Sequence, residues 1–170
     1  MDSLTYAEVG ATRYRPLPEG YRHLYYRTNL GDVPLAEAGE AIMSFAMHAA
    51  SEHVETSTPR AAVGTTVISL IGVRPFRLRV PCQITWVVEE DDRVGFGYGT
   101  LPGHLVKGEE SFEVVRDADG VWFVVTAFSR AAQWWVAALG PVRPVMQHAY
   151  ARIRARALRR VLRAKGGVPY

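Results

Sequence analysis

The chain has 170 residues, 48% hydrophobic and 22% charged, with 20 Lys and Arg against 17 Asp and Glu for a formal net charge of +3. These proportions are ordinary for a soluble globular protein, and the length suits a single domain with a sizeable core over residues 1–170. The one cysteine, Cys82, excludes an intrachain disulfide and a CxxC metal site. No run approaches the roughly 18 apolar residues of a membrane-crossing helix, and the first residues, with Asp2 and Glu8, lack an apolar h-region, so a cytoplasmic protein is expected.

Residues 1–20, with Gly10, Pro16, Pro18 and Gly20, read as an irregular arm. Residues 21–30 are rich in Tyr and Arg with alternating character, which predicts a first strand ended by Gly31-Asp32. Asp32 is placed to cap a helix, and Pro34 falls near the first turn, where its missing N–H is harmless. Leu35, Ala38, Ile42, Phe45 and Ala49 recur at spacings of three and four, so 34–50 is expected as one amphipathic helix and 51–59 as a polar loop.

From Ala61 the period becomes that of strands. Residues 63–71 form one expected strand and 76–89 a longer one, with Val80, Cys82, Ile84, Trp86 and Val88 on one face. After an acidic turn over 89–92, Val94, Phe96, Tyr98 and Thr100 share one face of the next strand, and Gly95, Gly97 and Gly99 share the other. Strands over 109–116 and 121–129, joined at Asp117-Ala118-Asp119-Gly120, complete an antiparallel meander. Residues 131–164 read as a C-terminal helical segment kinked near 140–144, where Gly140-Pro141 interrupts it. Beyond the kink, Met146, Ala149, Ile153, Ala157 and Val161 form the expected apolar stripe, with Arg152, Arg156, Arg159 and Arg163 on another side.

The expected fold class is therefore α+β: a curved antiparallel sheet wrapped around a long C-terminal helix, with one amphipathic helix after the first strand. That order is similar to the helix-grip arrangement of START and Bet v 1-like proteins, in which sheet and helix enclose an apolar space. The aromatics Trp86, Phe96, Phe112 and Trp134 suit the lining of such a space, or else fill a core.

Several motifs point to a family: Tyr6–Arg13, Met47-His48, Thr58-Pro59-Arg60, Tyr98–His104 with Gly108-Glu109-Glu110, and Phe128-Ser129-Arg130 with Trp134. Together they resemble the family catalogued as domain of unknown function nineteen-ninety, over nearly the whole chain. With a START-like fold, the resemblance implies a lipid, polyketide or other hydrophobic small molecule as ligand; the family has no assigned general activity, so the resemblance supports a fold more than a reaction, and no cofactor is expected.

His104 follows Pro102-Gly103 in a turn and is either a general acid or base or a ring that caps the turn. Glu110 shares parity with Phe112 and Val114, so it points inward, where a carboxylate needs a partner or a raised pKa. Its partner is expected in Arg60 or Arg130; otherwise it is an acid/base group at a cavity mouth. Tyr98 either orients a ligand carbonyl or is a half-buried sheet aromatic. His48 reads as a satisfied histidine at the edge of the core, and Cys82 as buried and inert. No Walker-type loop, GxGxxG after a strand or GxSxG elbow is present, and His48 and His53, five apart, do not share a helical face, so no metal site is expected.

Charge is unevenly distributed. All 17 acids lie at or before Asp119 with 11 cations, a net of −6, while the last 51 residues carry nine cations and no acid, a net of +9. The basic helix either pairs with the acidic part or meets a partner surface. Without aromatic platforms between its arginines, nucleic acid is not the expected partner. A homodimer stays open. Three functions follow: a binding protein for a hydrophobic small molecule; an enzyme of the same fold, of cyclase, aromatase or dehydratase type, with Glu110 and His104 as acid and base and Tyr98 as orienting group; or an adaptor with a packed core and a docking helix. A cavity with convergent polar groups favours the first two.

Overall fold

The structure is a computed structural model and describes residues 3–73, 76–132 and 142–166. Seven antiparallel strands form one sheet: β1 (Arg22–Gly31), β2 (His53–Thr56), β3 (Thr66–Val73), β4 (Phe76–Glu89), β5 (Arg93–Thr100), β6 (Val106–Asp117) and β7 (Gly120–Ala131). Their spatial order is β1-β7-β6-β5-β4-β3-β2, a meander whose first strand closes beside its last. Helices α1 (Leu35–Met43) and α2 (Ala46–Ala49) follow β1, and α3 (Val142–Gly166) ends the described chain. This is the α+β arrangement that the element order predicts.

The helix expected over 34–50 is two helices. Its N-cap is Pro34, with no side-chain cap from Asp32. Phe45 interrupts it at φ 59, a left-handed conformation that costs a non-glycine residue about 1–2 kcal/mol. The break re-aims the chain, and Met47 and His48 of α2 are fully buried. The loop expected over 51–59 contains the short edge strand β2, paired with β3 from His53↔Leu70 to Thr56↔Val67. Ala131, expected to begin helix, ends β7 instead. The rest of that apolar helix, the Gly140-Pro141 break and Trp134 lie outside the described residues.

The inner face of the sheet has two halves. Across β1, β7, β6 and β5, α1 and the C-terminal half of α3 pack on it, with α2 against both helices and β2; Ile42, Met43, Phe96, Phe112, Phe123 and Leu158 are all fully buried there. Such burial contributes about 1.5–3 kcal/mol for each large apolar side chain. Towards β3 and β4, under the first turns of α3, the space between helix and sheet is open.

The stripe by which α3 faces the sheet differs from the expected one. Ala157 of the expected stripe is buried and Val161 packs against the core, but the other buried positions are Ala151, Arg154, Ala155, Leu158 and Leu162, whereas Met146 and Ile153 are exposed. The buried positions keep the spacing of three and four, but one of them is an arginine, and a search for an apolar stripe passes over it.

Candidate functional site

The open half of the inner face is a cavity of about 300 Å3. Strands β3 to β7 supply Val67, Ile71, Val80, Cys82 and Ala127, the turn between β5 and β6 supplies His104 to Val106, and α3 supplies Met146, Gln147 and Tyr150. The lining is mainly apolar. Polar side chains interrupt it, among them Ser69, Tyr98, Glu110, Tyr150, Ser129 and Gln147.

Tyr98 and Glu110 are direct cross-strand partners on β5 and β6, so strand parity alone brings both to the inner face. The Tyr98 hydroxyl donates to a Glu110 carboxylate oxygen at 3.3 Å. Burial pushes Glu110 up to about 7, against the opposing pull of Arg154 and of the Tyr98 hydrogen bond. Burial likewise pushes the Tyr98 phenol well above its ordinary range, with the Glu110 charge adding to the effect. Neither Arg60 nor Arg130 is the partner of Glu110. Arg60 is on the surface, where it pairs with Glu89 at 2.5 Å and Glu40 at 3.2 Å and stands away from the cavity lining. Arg130 lies over the Tyr21 ring at 5.0 Å.

The cation near Glu110 is Arg154, a residue sequence reasoning missed. It is fully buried, and its guanidinium donates to Ser51 Oγ, Glu52 Oε1 and the Tyr150 hydroxyl, each at 2.6 Å. Glu52 also accepts from the hydroxyls of Ser69 and Tyr150. Arg154 Nε has no hydrogen-bond partner among the described residues. The available signal was weak: Arg154 lies four residues after Tyr150 and three after Ala151, inside an otherwise solvated run of arginines. Its acidic partner, Glu52, is 102 positions away. This is the one ion pair that α3 makes among the described residues, so the acidic half of the chain does not neutralise the rest of the basic helix.

His104 also lines the cavity. Its Nδ1 lies 3.1 Å from both the N–H and the carbonyl oxygen of Val106, so it meets the Val106 backbone in either tautomer. Burial pushes its pKa down to about 4, so the ring is neutral at physiological pH. It caps the turn through Nδ1, and its Nε2 has no hydrogen-bond partner among the described residues.

His48 is in the core, stacked on Phe96 at 5.8 Å and edge-on to Phe112 at 4.9 Å. It is not a satisfied histidine, because neither ring nitrogen has a partner among the described residues. Burial, followed by the charge on Arg154, holds it well below its ordinary pKa and keeps it neutral. Phe96 and Phe112 belong to this same packed cluster and do not line the cavity.

Trp86 is on the opposite side of the sheet from its expected position. Ile84 pairs with Tyr98 but Trp86 pairs with Gly97, so Thr85 is an extra residue that moves Trp86 to the outer face. There its indole N–H donates to Thr12 at 3.0 Å. The alternating glycines of β5 make room for this layer: a Cβ on Gly97 would come within 2.3 Å of the Trp86 indole, and one on Gly99 within 2.1 Å of the Tyr6 hydroxyl. Glu109 is the centre of the layer. It accepts from the Tyr6 hydroxyl at 2.7 Å, the Gly10 and Thr12 N–H at 2.8 and 2.9 Å, and the Thr12 and Thr85 hydroxyls at 2.5 and 3.0 Å. The adjacent carboxylates Glu109 and Glu110 thus divide the labour: one ties the N-terminal arm to the outside of the sheet, and the other faces the cavity.

Among solved structures, a hypothetical protein from Helicobacter pylori superposes with a TM-score of 0.65 at 7% identity, covering 96% of this chain and 98% of that one. Norcoclaurine synthase from Thalictrum flavum, solved with dopamine and hydroxybenzaldehyde, superposes with a TM-score of 0.60 at 13% identity over 88% of this chain and 90% of its own. Major latex-like protein 151 from Panax ginseng gives 0.59 at 14% identity, covering 84% and 97%. These likenesses establish a Bet v 1-like helix-grip fold.

A UPF0548 protein of Deinococcus radiodurans is 39% identical over 142 residues, covering 75% of this chain and 72% of that protein. One from Arabidopsis thaliana is 34% identical over 88 residues, and the match spans 48% of this chain and 42% of the plant protein. The model of the family described as Domain of unknown function (DUF1990) matches residues 5–157. With nine-tenths of the chain inside that match, and with Tyr6, Tyr98, Glu109 and Glu110 all within it, the chain belongs to the DUF1990 family.

Proposed function

We propose that the protein binds an apolar small molecule, of lipid-like or polyketide-like character, between its sheet and α3. The observation that carries this reading is the cavity itself: about 300 Å3, mainly apolar, with Tyr98 and Glu110 converging at one side. That volume is at the lower end of small-molecule sites, and a few placed polar groups in an apolar lining are their usual composition. The bound small molecules of norcoclaurine synthase support the reading from the side of the scaffold. Titration with the neutral fluorophore N-phenyl-1-naphthylamine tests it. The wild type is expected to bind with enhanced, blue-shifted emission, and Ala127→Phe, which fills the cavity from β7, to lose at least tenfold in affinity while remaining folded. Equal binding by both proteins would assign the dye to the surface and remove the proposal.

A second reading, an enzyme of the same fold, is favoured by one observation: Glu110 is poised to exchange a proton near neutral pH inside the cavity, which is what a general acid or base needs. The neutral His104 ring is in the same lining. On this reading Glu110→Gln abolishes turnover of a bound ligand and leaves its affinity within a few-fold.

A further inference from the structure

The polar side of the cavity is unbalanced in hydrogen-bonding capacity. Three of its hydroxyls already donate to carboxylates: Tyr98 to Glu110, and Ser69 and Tyr150 to Glu52. Arg154 directs Nη1 and Nη2 to Ser51, Glu52 and Tyr150. What remains at the Glu110 carboxyl is acceptor capacity. Among the described residues, the 3.3 Å bond from Tyr98 is the single hydrogen bond to the Glu110 carboxyl. A ligand seated there must bring donors.

The charges point the same way. Two carboxylates, Glu52 and Glu110, share one cation, and Arg154 is already bonded to Glu52. The other titratable groups around Glu110 supply no charge near neutral pH. Burial holds the Tyr98 and Tyr150 hydroxyls and the Cys82 thiol in their protonated forms, and holds the imidazoles of His48 and His104 neutral. With Glu110 ionised, the cluster of described residues is one positive charge short of neutral. An uncompensated charge in an apolar site is costly, and a cationic ligand removes that cost.

We infer that the cavity takes an apolar molecule ending in an ammonium group, whose N–H donors bond to the Glu110 carboxylate and the phenolic oxygen of Tyr98. The inference rests on the proposed reading of the cavity as a ligand site. An ammonium provides donors and charge together. A ligand carboxylate adds a third negative charge, and a ligand carbonyl, which brings neither a donor nor a positive charge, leaves ionised Glu110 unpaired. Because the ammonium pairs with ionised Glu110, its binding strengthens with pH. For a carboxyl titrating near 7, the ionised fraction rises about tenfold between pH 6 and pH 8, and the affinity for an amine rises with it.

Isothermal titration of the full chain with octylamine, octan-1-ol and octanoate at pH 6 and pH 8 tests the inference. At pH 8 octylamine is expected to bind at least tenfold more tightly than octan-1-ol, and octanoate more weakly than either. The octylamine affinity is expected to rise about tenfold from pH 6 to pH 8 while that of octan-1-ol stays level. Glu110→Gln, which keeps the side chain's size, is expected to abolish both the preference and the pH slope. The wild-type pH series decides the question even if that variant does not fold. Octan-1-ol or octanoate binding as tightly as octylamine at pH 8 would overturn the ammonium inference and leave the cavity reading standing. No binding of any of the three would overturn both.

Discussion

Replacing Glu110 by Gln is expected to change how stability depends on pH, in a direction set by its place in the cavity. On folding, burial raises this carboxyl from its ordinary 4.5 to about 7. The folded protein therefore holds a proton there that the unfolded chain has released, over the window from about pH 4.5 to pH 7. In that window the folded state binds more protons, so stability falls as pH rises; the contribution is fully present below 4.5 and lost above 7. At about 1.4 kcal/mol for each pH unit of the window, the full effect approaches roughly 3 kcal/mol. Solvent reaching the cavity side of the carboxyl screens part of it, so about 1–3 kcal/mol is expected. Glutamine does not titrate, and every other ionisable group is common to both proteins. The assay is urea unfolding of wild type and Glu110→Gln at half-unit steps from pH 4.5 to pH 8, with the difference in unfolding free energy plotted against pH. The variant should gain on the wild type by about 1–3 kcal/mol across that range, most steeply between 5 and 7. A difference flat to within about 0.5 kcal/mol would mean that Glu110 titrates as a solvated carboxyl, and the account of a buried acid facing the cavity would fail.

Two further substitutions test the surroundings of the site. Arg154→Met leaves Glu52 buried without its cation and is expected to cost about 3–5 kcal/mol, whereas adding Glu52→Gln to it restores most of the loss; additive losses in a thermal or urea double-mutant cycle would contradict the buried pair. On the outer face, Glu109→Ala strips the acceptor from Tyr6, Gly10 and Thr12, with an expected cost on the order of 3 kcal/mol or more, and trypsin should then cut after Arg13 under conditions that leave the wild type intact.

The two faces of the sheet separate function from structure within one short segment. Residues 97–110 contain the glycines that admit Trp86 and Tyr6 on the outside, the histidine in the turn, and the carboxylate in the cavity. Glycine at 97 and 99 is a packing requirement of the outer layer. The groups that face the cavity, Tyr98, His104 and Glu110, are interleaved with that scaffold, so the same strands hold the arm and present the polar groups.

Local pattern was enough for much of this. Strand periods located β1 and β3 to β7, and their order after one helical segment implied the helix-grip class, because alternation and turn residues are properties of adjacent positions. Parity also put Glu110 and Tyr98 on the inner face, since a strand's two faces are fixed once one apolar face is known. Where a single residue breaks the period, sequence reading fails: the bulge at Thr85 moves Trp86 to the outer face, and the left-handed Phe45 splits the first helix. The burial of Arg154 is of the same kind. An arginine is read as solvated unless its partner is known, and Ser51, Glu52 and Tyr98 reach it only through the tertiary fold. The sequence by itself determined the elements, their order and the face that Glu110 occupies. Tertiary structure decided that Glu110 borders an open cavity rather than a packed core, and that its nearest cation is already committed to another carboxylate, because charge balance and empty volume depend on groups brought together from more than a hundred positions apart.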